Sequence, residues 1–416
     1  MTPAFFDFLE QKPLYYKEID TQRIHNAYAL LKDQIAHPPA VHIVGTNGKG
    51  STGRMIAYLA SQGMRNEELG IRNRIEKDPK FSIGHYTSPH ILRFNERIWI
   101  DGAEVSDEQL EEGHRRLYEI LGPQMSEELS YFEYTTLLAL LLFEHCDLIV
   151  LEAGLGGEFD ATNVVENKRL SVVTPIGLDH QAFLGDDIES IARTKCKSFT
   201  PGSRALLAPQ PYPEVPKVAR QVAQERGVEL HMVKDFGFWI LDSGLGENTE
   251  KKWAEMLNEV GKEKGWPDFL LQNALTALKA LELLGIEADP EALRDLELFG
   301  RFYPLRENIR IDVGHNPLAA RVIAQALEPE TVLIYNSLDD KDYWEVLSTL
   351  KPKIKRVELI PIESQRAATL GLIEEALEEL EIPWNCYDGL LFSHEKYLVF
   401  GSFYTVEAFL RSMEAD

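Results

Sequence analysis

Gly45-Thr46-Asn47-Gly48-Lys49-Gly50-Ser51-Thr52 sets glycines, a lysine and hydroxyls side by side. Those residue types suit the holding of phosphate. Glycines let backbone N–H groups approach phosphate oxygens, and a helix N-terminus favours their negative charge. Lys49 is placed to meet the β- and γ-phosphates, and Ser51 to ligate Mg²⁺. Asn47, Gly48, Gly50 and Thr52 complete the cradle. The loop departs from the common G-x-x-x-x-G-K-[ST] pattern. Only Thr46 and Asn47 separate its first glycines, and Gly50 falls between lysine and hydroxyl. A glycine turn that merely joins strand to helix is the bland alternative.

Other residues qualify by position. Glu152 ends the apolar run begun at Asp147 and precedes Ala153-Gly154-Leu155-Gly156-Gly157. A carboxylate at the carboxyl end of a buried parallel strand stands where ligands bind in open α/β sheets. Glu152 is thus a candidate Mg²⁺ ligand, with a cap on the next loop as the alternative. His180, beyond the strand expected at Ser171–Ile176, is placed similarly. Lys195 shares a helix face with Ile188 and Ile191, where a lysine ordinarily snorkels. Thr87-Ser88-Pro89-His90 and the following Arg93-Phe94-Asn95-Glu96-Arg97 form a polar, proline-broken loop of the kind that binds ligands.

Strands and helices must alternate to position these groups. Val41–Val44 reads as a buried strand, and Met55, Ile56, Tyr58 and Leu59 return at helical spacing until Gly63. Residues 1–40 are expected to be helical around Ile24, Ala27, Leu30 and Leu31. Further helices are expected at Asp107–Leu121, Phe132–His145, Asp187–Lys195, Glu250–Val260 and Asp268–Leu284. The charged stretch 64–80 reads as a solvated excursion, and Ser243–Thr249 as a loop. Near Leu296–Tyr303 a new unit begins. Its strands at Ile309–Val313, Thr331–Tyr335, Val357–Ile360 and Tyr397–Phe400 alternate with helices at Pro317–Leu327, Tyr343–Leu350, Ala367–Glu379 and Val406–Met413. The fold class is α/β: an N-terminal P-loop NTPase-like, mostly parallel sheet domain over 1–297, then a smaller Rossmann-like α/β domain over 298–416.

Composition narrows the function. A net charge of −24 argues against nucleic acid or an anionic membrane as partner. The 3 cysteines, Cys146, Cys196 and Cys386, show no C-x-x-C spacing, which suits a reducing cytoplasm. No signal peptide is evident, and the longest apolar run, Leu137–Phe143, is too short to span a bilayer.

Taken together, these motifs resemble the folylpolyglutamate synthase/dihydrofolate synthase family, a branch of the Mur-type ATP-dependent amide ligases. Gly45–Thr52 resembles its G-T-N-G-K-G-S/T. Thr87–His90 with Phe94–Ile98 resembles T-S-P-H-L…F-N-E-R-I, and Tyr131-Phe132-Glu133 its S-x-F-E. Leu151–Gly157 with Asp160–Asn163 resembles L-E-V-G-L-G-G-R-L-D-A-T-N, and Ile176–His180 with Leu184-Gly185 resembles I-G-x-D-H…L-G. Gln272-Asn273-Ala274 matches Q-x-x-N-A in part. Gly300-Arg301, Asp312–Pro317, Asp340–Asp342 and Gly401–Tyr404 resemble G-R, D-G-A-H-N-P, D-K-D and G-S-L-Y.

The resemblance implies ligation of L-glutamate to dihydropteroate or reduced folates through an acyl phosphate, with ATP and Mg²⁺. It makes residues 1–297 the ATP- and folate-binding domain and 298–416 the glutamate ligase domain, whose closure brings Arg301, Asp312 and His315 onto ATP. It implies that Lys49, Asn273, Arg301 and Asp312 contact ATP. It gives Ser51, Glu152 and His180 to the metal, with a carbamylated Lys195 helping to hold a second Mg²⁺. It assigns catalytic roles to Lys49, His180, Lys195 and His315. The pterin substrate is expected near Arg23, Thr87, Ser88, Pro89, His90, Tyr131, Phe132, Glu133, Phe159, Asp160 and Ala161. A cytoplasmic monomer is expected. Glu158 stands where the family has arginine, and Thr194 where it has glutamate. A Mur-type cell-wall ligase, a GTPase switch with the decoy Asn167-Lys168-Arg169-Leu170, and a non-catalytic nucleotide binder are the rivals.

Overall fold

The computed structural model describes residues 2–13, 20–63, 81–241 and 249–414. The charged stretch 64–80 and nearly all of the loop expected at 243–249 lie outside the described residues. The chain forms two compact units. The first comprises Met1–Ile176, Ile188–Val260 and Leu271–Leu296; the second comprises Gly177–Asp187, Gly261–Leu270 and Glu297–Asp416. Two short early segments, 177–187 and 261–270, therefore group with the carboxyl-terminal part rather than with their sequence neighbours.

The first unit is built on an 8-stranded sheet in the order β4-β3-β2-β5-β1-β6-β7-β8. The strands are β1 Ala40–Val44, β2 Ile83–Tyr86, β3 Ile98–Ile100, β4 Ala103–Glu104, β5 Leu148–Glu152, β6 Lys168–Val173, β7 Arg204–Leu207 and β8 Glu229–Met232. From β2 through β8 neighbours run parallel. β3 and β4 continue antiparallel from β2 as an edge hairpin. Every residue of β1 and β5 is buried, as in a parallel sheet covered on both faces.

Helix Thr21–Leu31 is capped by Asp20, whose side chain accepts from the N–H groups of Gln22 and Arg23. It buries Ile24, Ala27 and Leu31 in a core cluster that also holds Leu117, Tyr134 and Leu137. Ile24 and Leu31 each contribute about 1.5–3 kcal/mol, and the Ala27 methyl less. Leu30, expected on that face, is 46% exposed because it lies a quarter-turn away.

Several expected boundaries move. The helix from Asp107 does not stop at Leu121 but runs to Glu128 across a kink at Gly122. Gly122 adopts φ 73°, and Pro123 restarts the helix with its fixed φ. Strand β6 ends at Val173 rather than Ile176, because pairing with β1 sets its register from Lys168 onward. Pro175 instead offers its carbonyl to the N–H groups of Thr46 and Asn47, at 2.9 and 3.1 Å. Leu170 is buried inside β6, so Asn167–Leu170 is a strand entry and not a base-reading loop.

The second unit carries a 6-stranded sheet in the order β13-β12-β11-β14-β10-β9. Its strands are β9 Tyr303–Arg306, β10 Ile309–Ile311, β11 Thr331–Tyr335, β12 Ile354–Leu359, β13 Trp384–Cys386 and β14 Lys396–Phe400. All pairs are parallel except β9 with β10. Ile323, Leu333, Val346, Leu347 and Leu398 form its core. No helix among the described residues is long and apolar enough to cross a membrane.

Candidate active site

The phosphate loop leaves β1 at its carboxyl end, and helix Lys49–Gln62 begins directly after it. Gly48 caps that helix in the left-handed region, at φ 80°. A methyl group there would sit 2.9 Å from Asn273 Oδ1. Asn273 Nδ2 donates to Ser51 Oγ at 2.9 Å, and Ser51 Oγ in turn donates to the Gly48 carbonyl at 3.2 Å. Asn273, on helix Asp268–Leu283, thus fixes both the glycine turn and the hydroxyl. The first-turn N–H groups of a helix have no carbonyl of their own and face outward along the axis.

Lys49 Nζ donates to the carbonyls of Gly45 and Thr46, at 3.3 and 3.1 Å. Lys195 does not snorkel. It is 4% exposed, and its Nζ donates to the Gly45 carbonyl at 2.8 Å. Its helix, Ile188–Cys196, buries Ile191 and Ala192 beside it. Lys49 and Lys195 therefore meet at one turn of the loop.

Glu152 closes β5, paired with Ile43 of β1, and is 4% exposed. It accepts from Thr87 Oγ1, and from the Ser88 N–H at 3.3 Å. The 87–90 loop is thereby tied to the strand end beside the phosphate loop. The rest of its motif closes the loop on itself. Glu96 accepts from the N–H groups of Ile91, Leu92 and Arg93, at 2.7, 2.7 and 2.8 Å. Arg97 Nε donates to His90 Nδ1 at 2.8 Å. Burial, with the Arg97 charge, pushes His90 down to about 3, so its ring is neutral near pH 7. Glu96 and Arg97 are positioning residues that the sequence reading left without a role.

Arg23 and Glu133 form a two-bond fork, Nε to Oε2 at 3.0 Å and Nη2 to Oε1 at 3.1 Å. Glu133 also accepts from the Ser130 N–H, closing a capping box on helix Tyr131–Leu142. Tyr131 lies under the Arg97 guanidinium, 5.2 Å from ring centre to Cζ. Phe132 packs so closely on Gly154 that a methyl there would be 2.6 Å from its ring. Phe159 is 59% exposed, whereas Asp160 and Ala161 are buried.

Asp160 accepts from the Leu155 N–H at 2.8 Å, the Thr162 N–H at 2.9 Å and Thr162 Oγ1 at 2.5 Å. Burial pushes its carboxyl up, against those bonds. Thr162 Oγ1 also meets His42 Nε2 at 2.8 Å. Burial holds His42 well below its ordinary value, so it is neutral. Nε2 must then carry the proton, because Thr162 spends its own on Asp160. His42 gave no signal in the sequence.

In the second unit, the segment 177–187 brings Asp179 and His180. Asp179 accepts from Lys341 Nζ at 2.7 Å, and His315 Nε2 stands 3.7 Å from it. Burial opposes its ionisation. Neighbouring His315, His180 and Lys341 nevertheless hold its carboxyl well below the usual range. Burial pushes His180 down to about 4. Asp312 accepts from the N–H groups of Phe302 and Gly314, at 2.8 and 2.7 Å. Arg301 lies over the Phe403 ring, 5.3 Å from its centre. Asp179 and Lys341 fall within motifs that the sequence reading matched but left without a role.

Ser51 and Glu152 supply a hydroxyl and a carboxylate, the hard oxygen donors Mg²⁺ takes. Thr52 Oγ1, in the same helical turn, is buried without a hydrogen-bond partner among the described residues. These residues fit a Mg²⁺-bound polyphosphate. Among the described residues, no group of 3 or more His, Cys, Asp and Glu side chains converges on a metal position.

The dihydrofolate synthase/folylpolyglutamate synthase of Escherichia coli strain K12 is 32% identical over 99% of this chain and 95% of its own length. The chain belongs to the dihydrofolate synthase/folylpolyglutamate synthase family. The likeness extends to family structures. E. coli FolC in complex with DHPP and ADP superposes with a TM-score of 0.76 at 28% identity, over 99% of this chain and 98% of that one. The bifunctional folylpolyglutamate synthase/dihydrofolate synthase of Yersinia pestis, complexed with AMPPNP and Mn ion, gives 0.77 at 27% identity, over 99% and 98%. No family model matches the chain. Both α/β sheets expected from the sequence belong to this family's fold.

Proposed function

We propose that this chain is an ATP-dependent ligase that joins L-glutamate to dihydropteroate, to reduced folates, or to both, through an acyl phosphate. The observation that carries the reading is the clamp of Asn273 on Gly48 and Ser51, which shapes a phosphate cradle beside Lys49 and Glu152. The relatives' names add the acceptor class, and the Yersinia complex adds nucleotide and divalent metal.

The chemistry follows from these groups. Lys49 and the first-turn N–H groups hold the β- and γ-phosphates and oppose the charge that grows as a substrate carboxylate attacks the γ-phosphorus. ADP leaves, and the acyl phosphate is attacked by the amine of L-glutamate. The tetrahedral adduct expels phosphate, leaving an amide. Ser51, Glu152 and His180 are the residues assigned to hold Mg²⁺, which would supply charge neutralisation at the phosphates. The acceptor's pterin end is assigned to Arg23, Thr87–His90, Tyr131–Glu133 and Phe159–Ala161. Arg301, Asp312 and His315 are assigned to ATP. Carbamylation of Lys195 is part of the proposal: the modified side chain would be an anion at the loop.

Phosphate release with ATP, Mg²⁺ and L-glutamate tests the reading, comparing dihydropteroate with tetrahydrofolate. Release with both, with a new amide by mass, marks a bifunctional enzyme. Release with one marks a monofunctional enzyme. Release with neither overturns the acceptor assignment. Lys49→Ala should abolish acceptor-dependent ADP formation.

A further inference from the structure

The first unit contains a cavity of about 320 Å³ that none of the assigned site residues lines. It lies at the amino ends of the strands. Lys168 opens β6 and pairs with Ala40, the first residue of β1, whereas the phosphate loop leaves β1 after Val44. Arg226 and the segment 198–201, also in the wall, precede β8 and β7. At ~3.3 Å per residue the sheet separates this cavity from the phosphate loop by roughly 15 Å.

The lining is basic in a chain whose net charge is −24. Lys168, Arg226 and Lys32 face it, and the lining carboxylate, Glu166, is exposed. Lys168 is 6% exposed, and its ammonium finds only neutral acceptors, Asn163 Oδ1 and the Ser198 carbonyl at 3.2 Å. Arg226 Nε donates to the Phe199 carbonyl at 2.7 Å. Among the described residues neither makes an ion pair. Burial, and then the Arg226 charge, lower Lys168 to about 7, with Asp160 acting the other way. A buried amine ordinarily has a counter-charge. Here the larger of the two charge influences is another cation.

We propose that this cavity binds a small, multiply charged anion, at a site separate from the phosphate loop. Lys168 would meet the anion as a point charge and Arg226 as a planar fork. Tyr28, Val164 and Phe199 complete the wall. The volume lies at the lower end of small-molecule pockets, about 300–1,000 Å³. Phosphate and carboxylate groups share the chemistry this lining recognises.

The site is wired to the substrate segment. Lys168 donates to the Asn163 side chain, and Asn163 Nδ2 donates to the Glu158 carbonyl at 2.8 Å. Glu158 immediately precedes Phe159-Asp160-Ala161. An anion that recruits Lys168 would therefore be felt where the pterin substrate is assigned. That consequence rests on the ligase reading; the site itself does not.

The test is calorimetric titration of the full Lys49→Ala chain with pyrophosphate and with citrate, so that neither turnover nor the phosphate-loop lysine contributes. One equivalent of pyrophosphate or citrate should bind, and adding Arg226→Gln should weaken it at least tenfold. Binding of pyrophosphate alone assigns a phosphate ligand, and binding of citrate alone a carboxylate one. Lys32→Gln, at an exposed position, replaces Arg226→Gln if that variant does not fold. No binding of either anion, or binding indifferent to the cavity variant, overturns the site.

Discussion

Gly48 shows how little freedom the cradle allows. Its left-handed backbone, at φ 80°, costs a side-chain-bearing residue about 1–2 kcal/mol. An alanine methyl would also press on Asn273 Oδ1, 2.9 Å away. Gly48→Ala should therefore raise the KM for ATP roughly tenfold, since about 1.4 kcal/mol corresponds to that factor. Steady-state kinetics with ATP varied will measure it; an unchanged KM would remove Gly48 from the cradle. His42 presents the opposite case, a fully buried residue inside β1 rather than in the loop. Its Nε2–H to Thr162, and Thr162 Oγ1 to Asp160, form a buried chain. His42→Phe keeps the bulk and removes the donor, so it should cost about 1–3 kcal/mol of stability. It should also raise the KM for the pterin substrate while leaving the KM for ATP unchanged. Equilibrium denaturation and the pair of KM values separate this positioning role from a purely structural one, which would leave both KM values alone.

At the scale of elements, the fork between Arg23 and Glu133 joins helix Thr21–Leu31 to helix Tyr131–Leu142. Both side chains are mostly covered, at 15% and 11% exposure. Arg23→Ala leaves the Glu133 carboxylate with only its capping bonds, and should destabilise the unit by about 1–2 kcal/mol, below the range for fully buried pairs. A denaturant midpoint that does not fall would show that water replaces the guanidinium. Neither this pair nor the histidine chain could be read from the sequence, because 110 positions separate Arg23 from Glu133 and 120 separate His42 from Thr162. The phosphate loop was legible because its strand, glycines and helix are contiguous, so their periodicities announce one another. Glu152 was legible for a similar reason, as an acid ending an apolar run. The hairpin β3–β4 and the strand β9 were not, since short edge strands owe their conformation to a partner rather than to a pattern. The grouping of 177–187 with the second unit was equally hidden, because it depends on Asp179 meeting Lys341 far along the chain.

At the scale of the whole molecule, the buried lysines shape the response to pH. Lys168 is lowered to about 7, chiefly by burial and then by Arg226, from an ordinary value of 10.5. Between those two pH values the unfolded chain binds the proton and the folded chain does not. Stability contributed through Lys168 therefore rises as pH climbs from about 7 toward 10.5. Below about 7 both states are protonated, and the folded state bears the penalty of a buried cation without an ion-pair partner, only partly offset by Asp160. Tyrosine ionisation and the growing net negative charge act on the whole chain in the same interval, so the comparison must be made against a variant that lacks only this proton. The midpoint difference between the natural chain and Lys168→Met should shift in favour of the natural chain as pH is raised from 7 to 9.5, read by urea denaturation at each pH. A constant difference would mean that Lys168 keeps its proton in the fold. Pyrophosphate or citrate seated in the cavity should flatten the same profile, because an anion beside the ammonium returns its proton affinity toward the ordinary value.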